Sequence, residues 1–124
     1  MNLCVHHVAL IVSDYAASRH FYVDVLGLPV LRENRRASGQ YKLDVALGDA
    51  ELEIFSADAP PKRPSYPEAA GLRHLAFRVD SVADAVAQLA AKGVECEPVR
   101  IDEYTNAPFT FFFDPDGLPL ELHE

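Results

Sequence analysis

Two histidines and two glutamates occupy matching places in this chain. His7 opens HVALIVSD and His74 opens HLAFRVDS, while Glu53 sits in LEIF and Glu121 in LELH. The separation from His7 to Glu53 is one residue shorter than that from His74 to Glu121, so each half begins on a histidine segment and closes on a glutamate segment. Two imidazoles and two carboxylates make a suitable shell for a divalent transition ion. Such a shell leaves room for water on Ni, Co, Mn or Zn, and a substrate with adjacent oxygens can displace that water. A carbonyl bound in this way is polarised, its neighbouring C–H turns acidic, and a glutamate within reach can take the proton as general base.

The elements that must carry these residues run in the same order twice. Val5 to Val12 alternates as a strand, Asp14 caps a helix over Tyr15 to Leu26, and Gly27 stops it. Strands are expected at Leu28 to Glu33, Tyr41 to Leu47 and Ala50 to Phe55, the last two joined by a Gly48-Asp49 turn. The second half repeats this. Leu72 to Val79 is a strand, Ser81 caps a helix over Val82 to Lys92 that ends at Gly93, and strands follow at Glu95 to Arg100, Phe109 to Phe113 and Leu118 to His123. DPDG at 114–117 supplies the last hairpin turn. The fold class expected is α+β, two βαβββ modules spanning 1–56 and 72–124. The connector 57–71 carries prolines at 60, 61, 64 and 67 and cannot join a central strand.

Side-chain parity separates ligand candidates from incidental polar residues, because successive strand residues point to opposite faces. Val8, Leu10 and Val12 oppose His7, and Leu52 and Ile54 oppose Glu53. Leu75, Phe77 and Val79 oppose His74, and Leu118, Leu120 and Leu122 oppose Glu121. Singly, each of the four reads as the solvent side of a strand; jointly, they define one apolar face for the helices and one face bearing the donors. His6 falls on the wrong parity and has only Arg73 as its counterpart. His20 and Asp24 suit an exposed i,i+4 pair. His123 shares the face of Glu121 and Phe55 that of Glu53, which makes both candidate substrate contacts. Lys42, Asp44, Tyr104 and Thr105 lie on cavity-edge segments without a defined orientation, and Phe109, Phe111, Phe112 and Phe113 read as core and cavity wall.

Composition narrows the class. The chain has 124 residues, near the size of one compact domain, with 49% hydrophobic and 24% charged residues, ordinary for a globular protein. Nineteen acidic residues against 11 basic ones, a net charge of −8, argue against nucleic acid or an anionic membrane as partner. The N-terminus lacks the charged start and long apolar run of a signal peptide, and a cytoplasmic location is expected. Cys4 and Cys96 are too few for a disulfide framework and read as small apolar fillers.

HVALIVSD followed by SRHFYVDVLGL, LEIF, GLRHLAFRVD and DPDGLPLELHE resembles the vicinal oxygen chelate superfamily, the glyoxalase/bleomycin resistance/dioxygenase fold, over nearly the whole chain. PPKRPSYPEAAGLRHLAF and FTFFFDPDGLPLELHE are most similar to the glyoxalase I side and the YaeR-like subgroup. The resemblance implies a single domain over 1–124 whose two modules form a curved, barrel-like mixed sheet with the helices outside. It also implies that His7, Glu53, His74 and Glu121 hold one divalent metal (Ni, Zn, Co or Mn), from one chain or across a dimer. The activity it implies is a metal-dependent lyase or isomerase, in which a proton passes between adjacent carbons of a hemithioacetal or related hydroxy-carbonyl to give a thioester. Glu121 is the expected base, with Glu53 as second base or permanent ligand. Exposed strand edges call for a homodimer.

One departure limits the transfer. Glutathione-dependent members tend to carry an arginine four residues after the first ligand histidine, where this chain has Ile11; the matching place in the second half holds Arg78, a candidate anchor for an anionic substrate. Ala57, four residues after Glu53, likewise offers no side-chain hydrogen bond, so glutathione dependence is not expected. Two alternatives stay open: an Fe(II)-dependent dioxygenase of the same fold, against which a fourth protein ligand counts, and a metal-free small-molecule-binding protein, for which four ligand-type residues have no evident purpose.

Overall fold

A computed structural model describes all 124 residues. The chain divides into two compact units, Met1–Pro61 and Lys62–Glu124. The boundary falls inside the proline-rich stretch, so residues 62–71 belong with the second unit.

In the first unit, β1 (His7–Val12) leads through Asp14 into α1 (Tyr15–Arg19), and β2 (Val30–Arg35), β3 (Tyr41–Leu47) and β4 (Ala50–Ser56) follow. The sheet order is β1-β4-β3-β2, with β1 parallel to β4 and the other pairs antiparallel. The Asp14 carboxylate accepts from Ala17 N at 3.0 Å, which satisfies one of the free N–H groups at the helix start. Helical backbone continues to Val25 as expected, but from His20 onward it widens to a π-helix, and Leu26 N donates to Phe21 O. The wider turn puts Phe21, Tyr22 and Val25 together on the buried side. They join Leu10, Val12, Leu43, Val45, Leu52 and Ile54, the apolar parity of three strands. Tyr15 stacks on Tyr41 with centroids 4.3 Å apart, and Arg19 reaches Glu33, tying helix to sheet.

The second unit repeats the plan with β5 (Leu75–Arg78), α2 (Val82–Ala91), β6 (Arg100–Ile101), β7 (Pro108–Phe113) and β8 (Pro119–His123), in the order β5-β8-β7-β6. Ser81 Oγ accepts from Asp84 N, and Glu124 Oε1 accepts from Val82 N, so the chain terminus helps cap α2. Asp114 Oδ1 accepts from both Asp116 N and Leu118 N, which closes the DPDG turn; Gly117 takes φ +81° there. Val82, Leu89, Phe112, Leu118, Leu120 and Leu122 form the core.

Several expectations need adjustment. The two four-stranded sheets are open, not closed into a barrel. The strand expected from Glu95 shrinks to Arg100–Ile101, because Pro98 has no N–H to give the ladder; only Glu97 N still reaches Phe111 O ahead of it. The first strand starts at His7, not Val5, and β5 starts at Leu75, so His74 stands just before its strand. Cys4 precedes the first ladder and is exposed rather than packed; Cys96 is half-buried, and burial raises its thiol pKa. No helix is long and apolar enough to cross a membrane.

Candidate functional site

The face of each sheet opposite its apolar core carries the candidate residues, and the two faces share one register. Ala9 pairs with Glu53 in the first unit and Ala76 with Glu121 in the second, so each histidine stands two residues before the partner of its glutamate. That diagonal brings the side chains together. His7 Nε2 lies 3.6 Å from Glu53 Oε2, and His74 Nε2 lies 2.8 Å from Glu121 Oε2. Two donors bound at right angles to one ion, each about 2.1 Å from it, lie about 3 Å apart, so both couples suit a pair of adjacent ligands. Each unit by itself gathers two donors, and no cluster of three or more His, Cys, Asp or Glu side chains suited to a metal occurs.

Around the couples the two faces differ. In the first unit the row across the glutamate is charged: Lys42 Nζ donates to Asp44 Oδ1 at 2.7 Å and to Glu53 Oε1 at 3.0 Å. Arg32 Nε donates to Asp44 Oδ2 at 2.9 Å, and the same guanidinium binds Glu51. Asp44 is fully buried. Burial pushes its pKa up, but the hydrogen bonds from Lys42 and Arg32 outweigh that and hold the carboxyl below its ordinary range. Asp44 in turn raises the Lys42 pKa, with a smaller contribution from Glu53. Lys42 thus fixes one oxygen of Glu53 while leaving the other toward His7.

In the second unit the same row is aromatic. Phe111 faces Glu121 across the ladder and meets the His74 ring edge-on at 5.1 Å; Phe109 stacks on His123. The Arg100 guanidinium lies 5.0 Å from the Phe109 ring and 5.8 Å from that of Phe111. Glu121 is 8% exposed.

Ile11 pairs with Phe55, and Arg78 with His123, so Ile11 and Arg78 hold equivalent register positions. Both are exposed. Phe55 lies under the cations of Arg36 and Lys42. His123 bonds Glu124 O and Asp102, which together raise its pKa, the carbonyl more strongly. His20 pairs with Asp24 at 2.9 Å, and Tyr104 and Thr105 lend backbone N–H groups to Asp102.

Two relationships lie beyond strand parity. His6 Nδ1 lies 2.8 Å from His7 Nδ1, so it orients the ring whose other nitrogen faces Glu53. Parity alone hides this, since His6 lies just ahead of β1, where strand alternation does not govern it. The Asp44–Glu53 pairing was within reach: the two-residue Gly48-Asp49 loop sets Leu47 opposite Ala50 and therefore Asp44 opposite Glu53.

A duplicated βαβββ unit with one His–Glu couple per sheet narrows the family. The family model of the Glyoxalase/Bleomycin resistance protein/Dioxygenase superfamily matches residues 5–122. The chain belongs to this superfamily. It is 55% identical to the uncharacterized protein YaeR of Escherichia coli K12 over 122 residues, 97% of this chain and 95% of that one. The crystal structure of the glyoxalase family protein from Enterococcus faecalis superposes with a TM-score of 0.90 at 57% identity, covering 97% and 96% of the two chains. At greater distance, a lactoylglutathione lyase of Salmonella typhimurium is 31% identical over 124 residues, 95% of this chain and 90% of its own. The superfamily includes metal-dependent enzymes, and its members usually use a divalent metal.

Proposed function

We propose that the protein is a divalent-metal-dependent lyase or isomerase of glyoxalase I type, acting on a small hydroxy-carbonyl or thiol adduct with adjacent oxygens. The observation that carries this reading is the His–Glu couple formed twice at one register. His7, Glu53, His74 and Glu121 would hold the ion, the two couples coming from one chain or from two chains of a dimer. A divalent metal in that shell supplies Lewis-acid polarisation of a substrate carbonyl.

The chain's own groups do the rest. Glu121, with one oxygen near His74 and only an aromatic neighbour across the ladder, takes the proton from the hydroxyl-bearing carbon and returns it to the adjacent carbon. Glu53, held by Lys42, serves as a fixed ligand. Arg78 offers an exposed cation on the rim of the second sheet, while Ile11 offers none on the first, so glutathione is not required as the thiol. Outer strands with unpaired edges and exposed Val30, Leu31 and Ile101 support a homodimer.

The test is metal analysis of protein purified without chelator, followed by thioester formation from methylglyoxal with a panel of thiols. Absence of both bound metal and proton transfer defeats the proposal; oxygen uptake with ferrous iron in place of isomerisation would replace it by the oxygenase reading.

A further inference from the structure

Beside His74 the second unit holds a cavity of about 250 Å³, walled by Phe111 and Phe113 of β7 and by residues of the proline-rich stretch. Three arginines line it, Arg63, Arg73 and Arg100, in a chain whose net charge is −8. Two carboxylates accompany them. Glu68 lies 2.8 Å from Arg73, and Glu97 lies 3.2 Å from Arg100. Arg63 faces no carboxylate. Its Nε donates to Ser65 Oγ at 3.2 Å, and its Nη2 donates to the carbonyls of Leu72 at 2.9 Å and Arg73 at 2.8 Å. These bonds pin the proline-rich stretch to the approach of β5, and a purely structural role would need nothing more. They use three of the five guanidinium N–H groups, and the two on Nη1 have no protein acceptor.

A half-buried cation without a counter-ion, fixed by three bonds and keeping a free pair of donors, is prepared to receive an anion. The wall beside it is apolar, and Arg100 lies over the Phe111 ring as a second cation. The volume is below the ~300–1,000 Å³ of sites for drug-sized ligands. It suits a molecule of a few carbons.

We propose that this cavity binds a small organic acid. The carboxylate sits on Arg63, the short carbon skeleton lies against Phe111 and Phe113, and the other oxygen-bearing end reaches His74. The position of that end rests on the metal-dependent reading above, and the whole names the substrate class for it: a short carboxylic acid that also carries adjacent oxygens.

The experiment is an NMR-monitored titration of the full chain, as purified and again after dialysis against chelator, with succinate, uncharged succinamide and inorganic phosphate. Succinate should bind both preparations about ten-fold more tightly than the other two, the weight of one charge-assisted hydrogen bond. Arg63→Met should weaken succinate by about the same factor. Ala69→Phe, at an exposed position on the cavity lining, should block succinate while leaving every charge in place. Equal binding of succinate and succinamide, or unchanged affinity in folded Arg63→Met, overturns the proposal, and phosphate binding as tightly as succinate overturns its assignment to an organic acid. Should Arg63→Met fail to fold, Ala69→Phe decides alone. Succinate binding in a protein that neither holds metal nor moves protons keeps the cavity and fells the catalytic reading; metal and turnover without succinate binding do the reverse.

Discussion

Phe111 stands directly across the ladder from Glu121 at the place that Asp44 holds across from Glu53. One glutamate therefore sits in a lattice of charges, with an oxygen committed to Lys42, and the other sits against an aromatic wall with only His74 within reach of its carboxylate. Equivalent backbone positions thus carry chemically different groups.

The first consequence concerns catalysis. Glu121→Gln should lower kcat by about 10²–10⁴-fold while retaining part of the bound metal, the usual weight of a lost general base. Glu53→Gln should instead show its main effect in metal affinity. Steady-state kinetics alongside metal analysis separates the two, and full turnover in Glu121→Gln would remove that residue from the mechanism.

The Asp44 network should be visible in stability. Lys42→Met leaves a fully buried carboxylate with Arg32 as its remaining side-chain donor, and the expected loss is about 1–3 kcal/mol in urea unfolding. The double variant Lys42→Met with Asp44→Leu should recover part of it, since the buried charge is gone as well. A double variant no more stable than the single one would count against the unpaired buried charge as the cause of the loss.

A pH effect is expected at the junction of helix and sheet. Arg19, and then Tyr15, hydrogen-bond the Glu33 carboxylate and hold its pKa below the ordinary value, while burial and Glu33 push the Tyr15 hydroxyl well above its own. A carboxyl with a depressed folded-state pKa contributes stability above its unfolded-state value and loses it as pH falls through the folded one. Glu33→Gln should therefore cost about 1 kcal/mol or less at neutral pH, and the difference from the parent should fade at acid pH, once the carboxylate is protonated in the folded protein as well. Unfolding curves at both pH values check this; a gap that persists in acid would contradict it.

His6 supplies a prediction on metal affinity. Its contact with His7 Nδ1 leaves Nε2 toward Glu53, so His6→Ala should weaken metal binding by about 10–100-fold with little change in the metal-free protein's stability. Isothermal titration with Ni or Zn reads the affinity. Metal at about 100 times its Kd should raise stability by about 2.7 kcal/mol in the parent and by less in the variant. Identical affinities would leave His6 without a role.

Strand alternation alone made the two donor-bearing faces legible, because a period of two leaves no choice about which residues share a side. Val8, Leu10 and Val12 commit β1 to the core, and His7 follows to the other face. The Asp44–Glu53 pairing was also implicit, since a two-residue turn sets the register of everything beyond it. What sequence could not supply was the parallel pairing of β1 with β4 and of β5 with β8. These strands are far apart in the chain, and their register depends on how the intervening elements pack. That packing decided that each histidine sits diagonally beside its glutamate and that Phe111 meets His74. It also decided that Arg63 hangs from the carbonyls of Leu72 and Arg73. Local rules fix which way a side chain points, whereas its neighbours across a sheet or under a loop are set by long-range contacts that appear only once the chain has closed on itself.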